Sequence, residues 1–110
     1  MKKEQQARIN VHHMEMFARF LTKLNNMPAG DGNMLDHSMI LYGSGMSESN
    51  VHSRLDVPTI IAGGAAGQVK GNRHIKAPKE TPLANLMVEF GQKYGVEMEK
   101  FGVSTGRVEL

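Results

Sequence analysis

Apolar residues first gather into a helical pattern. From about Glu4 to Asn26, Ile9, His13, Met16, Phe17, Phe20, Leu21 and Leu24 recur at steps of three and four, while Glu15, Arg19 and Lys23 fall on the other side. That spacing predicts an amphipathic helix with one buried stripe. "NNMPAGDGN" ends it, because Pro28 forbids continuation and Gly30 and Gly32 favour turns. Two short apolar runs follow, "SMILYG" at 38–43 and "VPTIIAGG" at 57–64. Their length and bounding polar residues suit buried strands, and two strands apolar on both faces suit a parallel sheet. Gly71-Asn72 between Val69 and Ile75 predicts a tight hairpin. A second helix is expected over "TPLANLMVEFGQKYG", capped by Thr81, with Pro82 at its first position and Gly91 or Gly95 near its end. Leu83, Leu86, Met87 and Phe90 form its expected buried stripe, and Phe101 the anchor of an aperiodic tail.

The order is therefore helix, strand, loop, strand, hairpin, helix, an α/β pattern in which two helices are too few to cover both faces of a sheet. Residues 1–110 read as a single segment, the C-terminal part of a larger α/β domain that supplies the missing cover. Composition adds mostly exclusions. A formal charge of +2 with 5% aromatics offers no basic cluster interleaved with stacking rings, so nucleic acid is not an expected partner. "MKKEQQAR" is not followed by an apolar run of the signal-peptide kind, and no segment has the roughly 20 apolar residues of a membrane span. With no cysteine, thiolate catalysis and thiolate zinc sites are absent.

Five histidines remain as candidate chemistry. His12 and His13 are adjacent on the helix and point about 100° apart, which prevents joint chelation. His37 stands beside Asp36 at a strand entrance, where an aspartate-capped turn competes with metal ligation. His74 belongs to the expected hairpin. His52 stands out because it lies in the polar connection "GSGMSESNVHSRLDVP", leaving the expected carboxyl edge of the sheet, where open α/β folds hold ligands. Imidazole suits zinc, manganese or iron, and only Ser44, Glu48 and Asp56 are near in sequence to add ligands. "GSG" lacks the strand–nucleophile–helix setting of a hydrolase elbow, and "GGAAGQVKG" lacks the helix N-terminus and Gly-Lys-Ser/Thr of a phosphate loop. No catalytic residue is assigned.

The strings "LDHSMILYGSGMSESNVHSRLDVPTIIAGG", "GNRHIK", "TPLANLM" and "FGVSTGRVEL" resemble the C-terminal end of an uncharacterised bacterial family, the domain of unknown function numbered 1552. The likeness runs from "HHMEMFARFL" to the last residues. It implies a much longer parent with a twin-arginine export signal, hence a periplasmic or secreted location, with the remainder of that parent as the chain's partner. The family in turn is distantly similar to the alkaline phosphatase and sulfatase superfamily, which implies a sheet sandwich of that type. That superfamily holds metal ions at the carboxyl ends of a parallel sheet. "VHSRLDVPTII" keeps its later element, His52 ahead of Val57-Pro58 and an apolar strand, so the resemblance implies His52 as a metal ligand and a divalent metal in full-length relatives. Gly43, Ser44 and Gly45 stand where an Asp-His pair is expected, and the nucleophile would lie outside this chain. The reading that follows is a C-terminal segment of a degenerate hydrolase, inert by itself. Two alternatives stay open: part of a working phosphate- or sulfate-ester hydrolase whose other ligands lie upstream, and a small binding module built on helix 4–26 and the nine methionines.

Overall fold

A computed structural model describes residues 2–110. Helix α1 runs over Lys3–Asn25, in agreement with the periodicity. Its N-terminus is tied by the Lys2 N–H, which donates to Gln5 Oε1 at 3.3 Å. At the other end the Asn26 and Met27 N–H groups donate to Thr22 and Leu24 carbonyls before Pro28 stops the ladder. No residue of α1 is fully buried.

The chain then folds twice into antiparallel ribbons. β1 (Pro28–Ala29) pairs with β2 (Gly32–Asn33) across a Gly30-Asp31 turn, Gly30 taking a φ of +56° that glycine adopts without strain. β3 (Ile40–Gly43) pairs with β4 (Thr59–Ala62), Ile40 opposite Ala62 and Gly43 opposite Thr59. A small α/β fold with a helix toward each end therefore holds, but the sheets are two small antiparallel pairs and not a parallel one. The reason lies in the connection: residues 44–58 contain no crossover helix, and a loop alone returns the chain beside itself in the antiparallel sense.

Nor are β3 and β4 buried on both faces. Leu41 pairs with Ile61 on one face and Tyr42 with Ile60 on the other, and Leu41 and Ile60 are both exposed, so each face carries an uncovered apolar side chain. The expected hairpin at Gly71-Asn72 is absent. Asn72 does turn, with φ +56°, but the Val69 N–H already donates to the Gly64 carbonyl and is not free to pair with the Ile75 side.

Helix α2 is Ala84–Lys93. Thr81 does not cap it; its hydroxyl donates to the Pro78 carbonyl at 2.7 Å, and Pro82 precedes the helix, its carbonyl accepting from Asn85. The C-terminus closes on Gly95 at φ +76°: Val96 N–H donates to Gly91 O at 2.8 Å and Gly95 N–H to Gln92 O at 3.0 Å, the paired bonds of a Schellman ending. The buried side of α2 is Asn85, Leu86, Val88 and Glu89, while Leu83 of the expected stripe is exposed.

Few contacts join these parts. Phe17 stacks on Tyr42 with centroids 4.5 Å apart, fixing the C-terminal half of α1 to the β3–β4 ribbon. The Tyr94 hydroxyl donates to the Met39 carbonyl just before β3, and Gln68 Nε2 donates to the Lys93 carbonyl, tying α2 to the start of the ribbon and to the turn that follows it. Among the described residues the buried apolar core is Met39, Ala65, Leu86 and Val88 alone.

Candidate functional site

The loop 44–58 closes on itself. Glu48 and Ser53 form an isolated antiparallel bridge, and the Glu48 carboxylate accepts from the N–H groups of Asn50 and Val51 at 3.0 and 2.9 Å. Glu48 thereby caps its own turn. Ser44 Oγ accepts from the Met46 N–H. His52 sits at the tip of this turn with φ +55° and is exposed, and Asp56, also exposed, follows at φ +51°. Since β3 and β4 are antiparallel, this loop is a hairpin connection and not the carboxyl edge of a parallel sheet. No group of three or more His, Cys, Asp or Glu able to hold a metal ion occurs among the described residues.

The other histidines are dispersed. His12 and His13 project from α1 with centroids 6.3 Å apart and tilted by 50°, both exposed, and His74 is exposed on the stretch after Asn72. Arg73 turns back to the Lys70 carbonyl at 3.0 Å. His37 does acquire a partner, but it is Asp31 from the β1–β2 turn, at 3.1 Å from Nε2. Asp36 accepts the Asn33 N–H at 3.0 Å and receives nothing from His37, so the turn is aspartate-capped.

Asp31, Asp36 and His37 line an open cleft of about 390 Å³, closed on its far side by Gly64, Ala66, Gly67 and Val69. The "GGAAG" segment is docked there by backbone bonds: Gly64 N–H to Leu35 O, Ala65 to Ser38 O and Ala66 to Asp36 O, at 2.8–3.1 Å. A β-carbon on Gly63 would collide with the Ser38 carbonyl, which explains glycine at that point. Ala65 and Ala66 follow at φ +46° and +55°, a conformation costing an alanine about 1 kcal/mol or more. Each N–H from Gly64 to Val69 donates to a carbonyl of the chain, so the segment has none left to cradle a phosphate.

A second polar cluster lies on α2, where the sequence offered only the Glu89–Lys93 spacing as a hint. Glu89 is buried, with Lys93 Nζ 3.4 Å from Oε1 and Arg107 Nε 3.5 Å from Oε2, and the Leu110 N–H donates to Oε1 at 3.5 Å. Oε2 itself has no hydrogen-bond partner, and Arg107 meets it as a charge 3.5 Å away. One turn earlier, Asn85 accepts from the Thr105 N–H at 2.8 Å and donates to its hydroxyl at 3.3 Å, and its own carbonyl accepts from Val108. These contacts, with buried Ser104 accepting the Phe101 N–H, hold the tail; Phe101, the expected anchor, is half-exposed. The cluster is a structural clasp, with Arg107 also paired to Glu109.

Neither the cleft nor the clasp assembles a nucleophile, a base and an acid around one point. No family model matches the chain, and neither a curated protein nor a solved structure matches it. No helix among the described residues is long and apolar enough to cross a membrane.

Proposed function

We propose that this chain is a non-catalytic docking piece, the C-terminal segment of a larger exported bacterial protein of degenerate alkaline-phosphatase and sulfatase type, whose remaining chain covers it. The observation carrying this reading is surface. The chain exposes 8632 Å², whereas a compact monomer of its mass exposes roughly 6,000 Å². Its radius of gyration is 15.8 Å, against about 13 Å for a compact chain of this length. No large side chain is fully buried among the described residues, and both faces of the β3–β4 ribbon keep an uncovered apolar residue. An isolated two-stranded ribbon is marginal in water, and open sheets commonly accept an antiparallel strand at their edge. The ribbon therefore suits the margin of a sheet supplied by the parent.

The test compares the isolated chain with a full-length relative that contains the same strings. Small-angle scattering and dye binding on the chain alone should report an expanded particle with accessible apolar surface. A sharp cooperative melt with a radius of gyration near that of a compact monomer would defeat the proposal. Stoichiometric metal in the relative, lost in His52→Ala and accompanied by phosphate- or sulfate-ester hydrolysis, would replace it with a working hydrolase. A second reading, a binding module in its own right, draws support from α1, whose apolar side is open along most of its length.

A further inference from the structure

Side chains along α1 sort into three rows, each roughly a fifth to a quarter of a turn from the next at about 100° per residue. Phe17, Leu21 and Leu24 are half-buried toward the body, with Phe17 stacked on Tyr42. Ile9, Met16 and Phe20 form the neighbouring row and remain 41%, 50% and 46% exposed. Arg8, His12, Arg19 and Lys23 form the third row, on the far side of the apolar one. Among the described residues no acid lies within ion-pair distance of Arg8, Arg19 or Lys23. The two glutamates of the helix, Glu4 and Glu15, sit at the outer margin of the basic row, away from Ile9, Met16 and Phe20 and beside exposed Val11.

From this arrangement we propose that the uncovered flank of α1 docks an acidic amphipathic helix of a protein partner. The inference rests on the second reading above, a binding module built on α1, and names the chemistry of its partner. The partner's apolar seam lies along Ile9, Met16 and Phe20, and its carboxylates meet Arg8, Arg19 and Lys23. A helix fits because the open row is straight, one side chain wide and, from Ile9 to Phe20, about 17 Å long, some three helical turns. A lipid surface fits worse: helices that lie in a bilayer bury a broad apolar face, and here the centre of that face is already turned to Tyr42. A second copy fits worse too, because α1 carries four basic and two acidic side chains, so pairing it with itself sets like charge beside like.

The test uses the whole 110-residue chain and two synthetic peptides of the length of α1. Both carry leucine along one seam; one is flanked by glutamate and the other by lysine. Titration calorimetry should show saturable binding of the glutamate peptide alone, weakened by salt. The triple substitution Arg8→Glu, Arg19→Glu, Lys23→Glu should lower that affinity about tenfold or more and confer binding of the lysine peptide. Met16→Glu with Phe20→Glu should abolish both. All of these positions are solvent-exposed, and circular dichroism verifies that helix content is kept. Equal affinity for the two peptides, or no binding of either, overturns the proposal. Concentration-dependent self-association through α1 would assign the flank to a second copy, and charge-dependent binding to anionic vesicles, with none to peptide, would assign it to a membrane. A cooperative compact melt of the chain would defeat the docking-piece reading alone, while peptide selectivity is scored separately.

Discussion

Arg107→Ala is the sharpest test of how the tail is held. The Glu89 side chain is 4% exposed, and its Oε2 has no hydrogen-bond partner, leaving the Arg107 guanidinium 3.5 Å away as the charge nearest that oxygen. At an effective dielectric near 20, such a separation is worth about 5 kcal/mol of gross attraction. Two terms reduce it: the guanidinium side chain is 47% exposed and stays partly hydrated, and Lys93 holds the other oxygen at 3.4 Å. A net loss of about 1–2 kcal/mol is expected, below the roughly 3–5 kcal/mol of a fully buried broken pair. The loss is local, because Arg107 belongs to the segment held through Asn85–Thr105 and Val108. Hydrogen exchange at Thr105, Val108 and Leu110 should therefore accelerate about fivefold to thirtyfold, the factor that energy sets. Glu89→Gln introduced into Arg107→Ala should recover most of the protection, since it removes the charge left without its partner. Unchanged exchange in Arg107→Ala, or no recovery in the double variant, would show that the pair does not hold the tail.

Other expectations follow from single positions. Ala66→Gly should stabilise the chain by about 0.5–1 kcal/mol in urea titration, because glycine adopts the observed φ of +55° without the alanine penalty. Gly95→Ala should cost about 1 kcal/mol by the same logic in reverse, read as a lower melting temperature or faster exchange at Val96. Zinc or manganese titrated into the isolated chain should give no stoichiometric site, and His52→Ala should leave the isotherm unchanged, since among the described residues no triad of ligands surrounds that exposed turn. The urea m-value of the chain should be about a quarter below that of a compact domain of equal length, because less surface is removed from water on folding.

Local elements were legible in the residues. The three- and four-residue steps from Ile9 to Leu24 are satisfied by one helix, Pro28 can end it in only one way, and "SMILYG" and "TIIA" are too short and too apolar to be much else than strands. The aspartate-capped turn at Asp36 was legible for the same reason, its partner Asn33 being three residues away. The Glu89 and Asn85 clasps were not, because Arg107 and Thr105 lie a long way along the chain and no local pattern marks them. Helix periodicity assigned the inner side of α2 to Leu83, Leu86, Met87 and Phe90, of which Leu86 is buried, while paired charge and amide bonds from the tail made burial of Asn85 and Glu89 beside it tolerable.

Strand direction also waited on the tertiary structure. Short apolar runs read alike in parallel and antiparallel pairs, and only the helix-free path from Gly43 to Thr59 decides between them. The fate of His52 depended on that same choice, since a hairpin tip and a sheet edge place one loop histidine in unlike surroundings. What the sequence determined by itself was a shortage: apolar segments wanting cover on two sides, with only two helices to supply it. The tertiary structure decided where the shortage falls, on both faces of β3–β4 and along the flank of α1, because side chains from distant segments must meet before any face is closed.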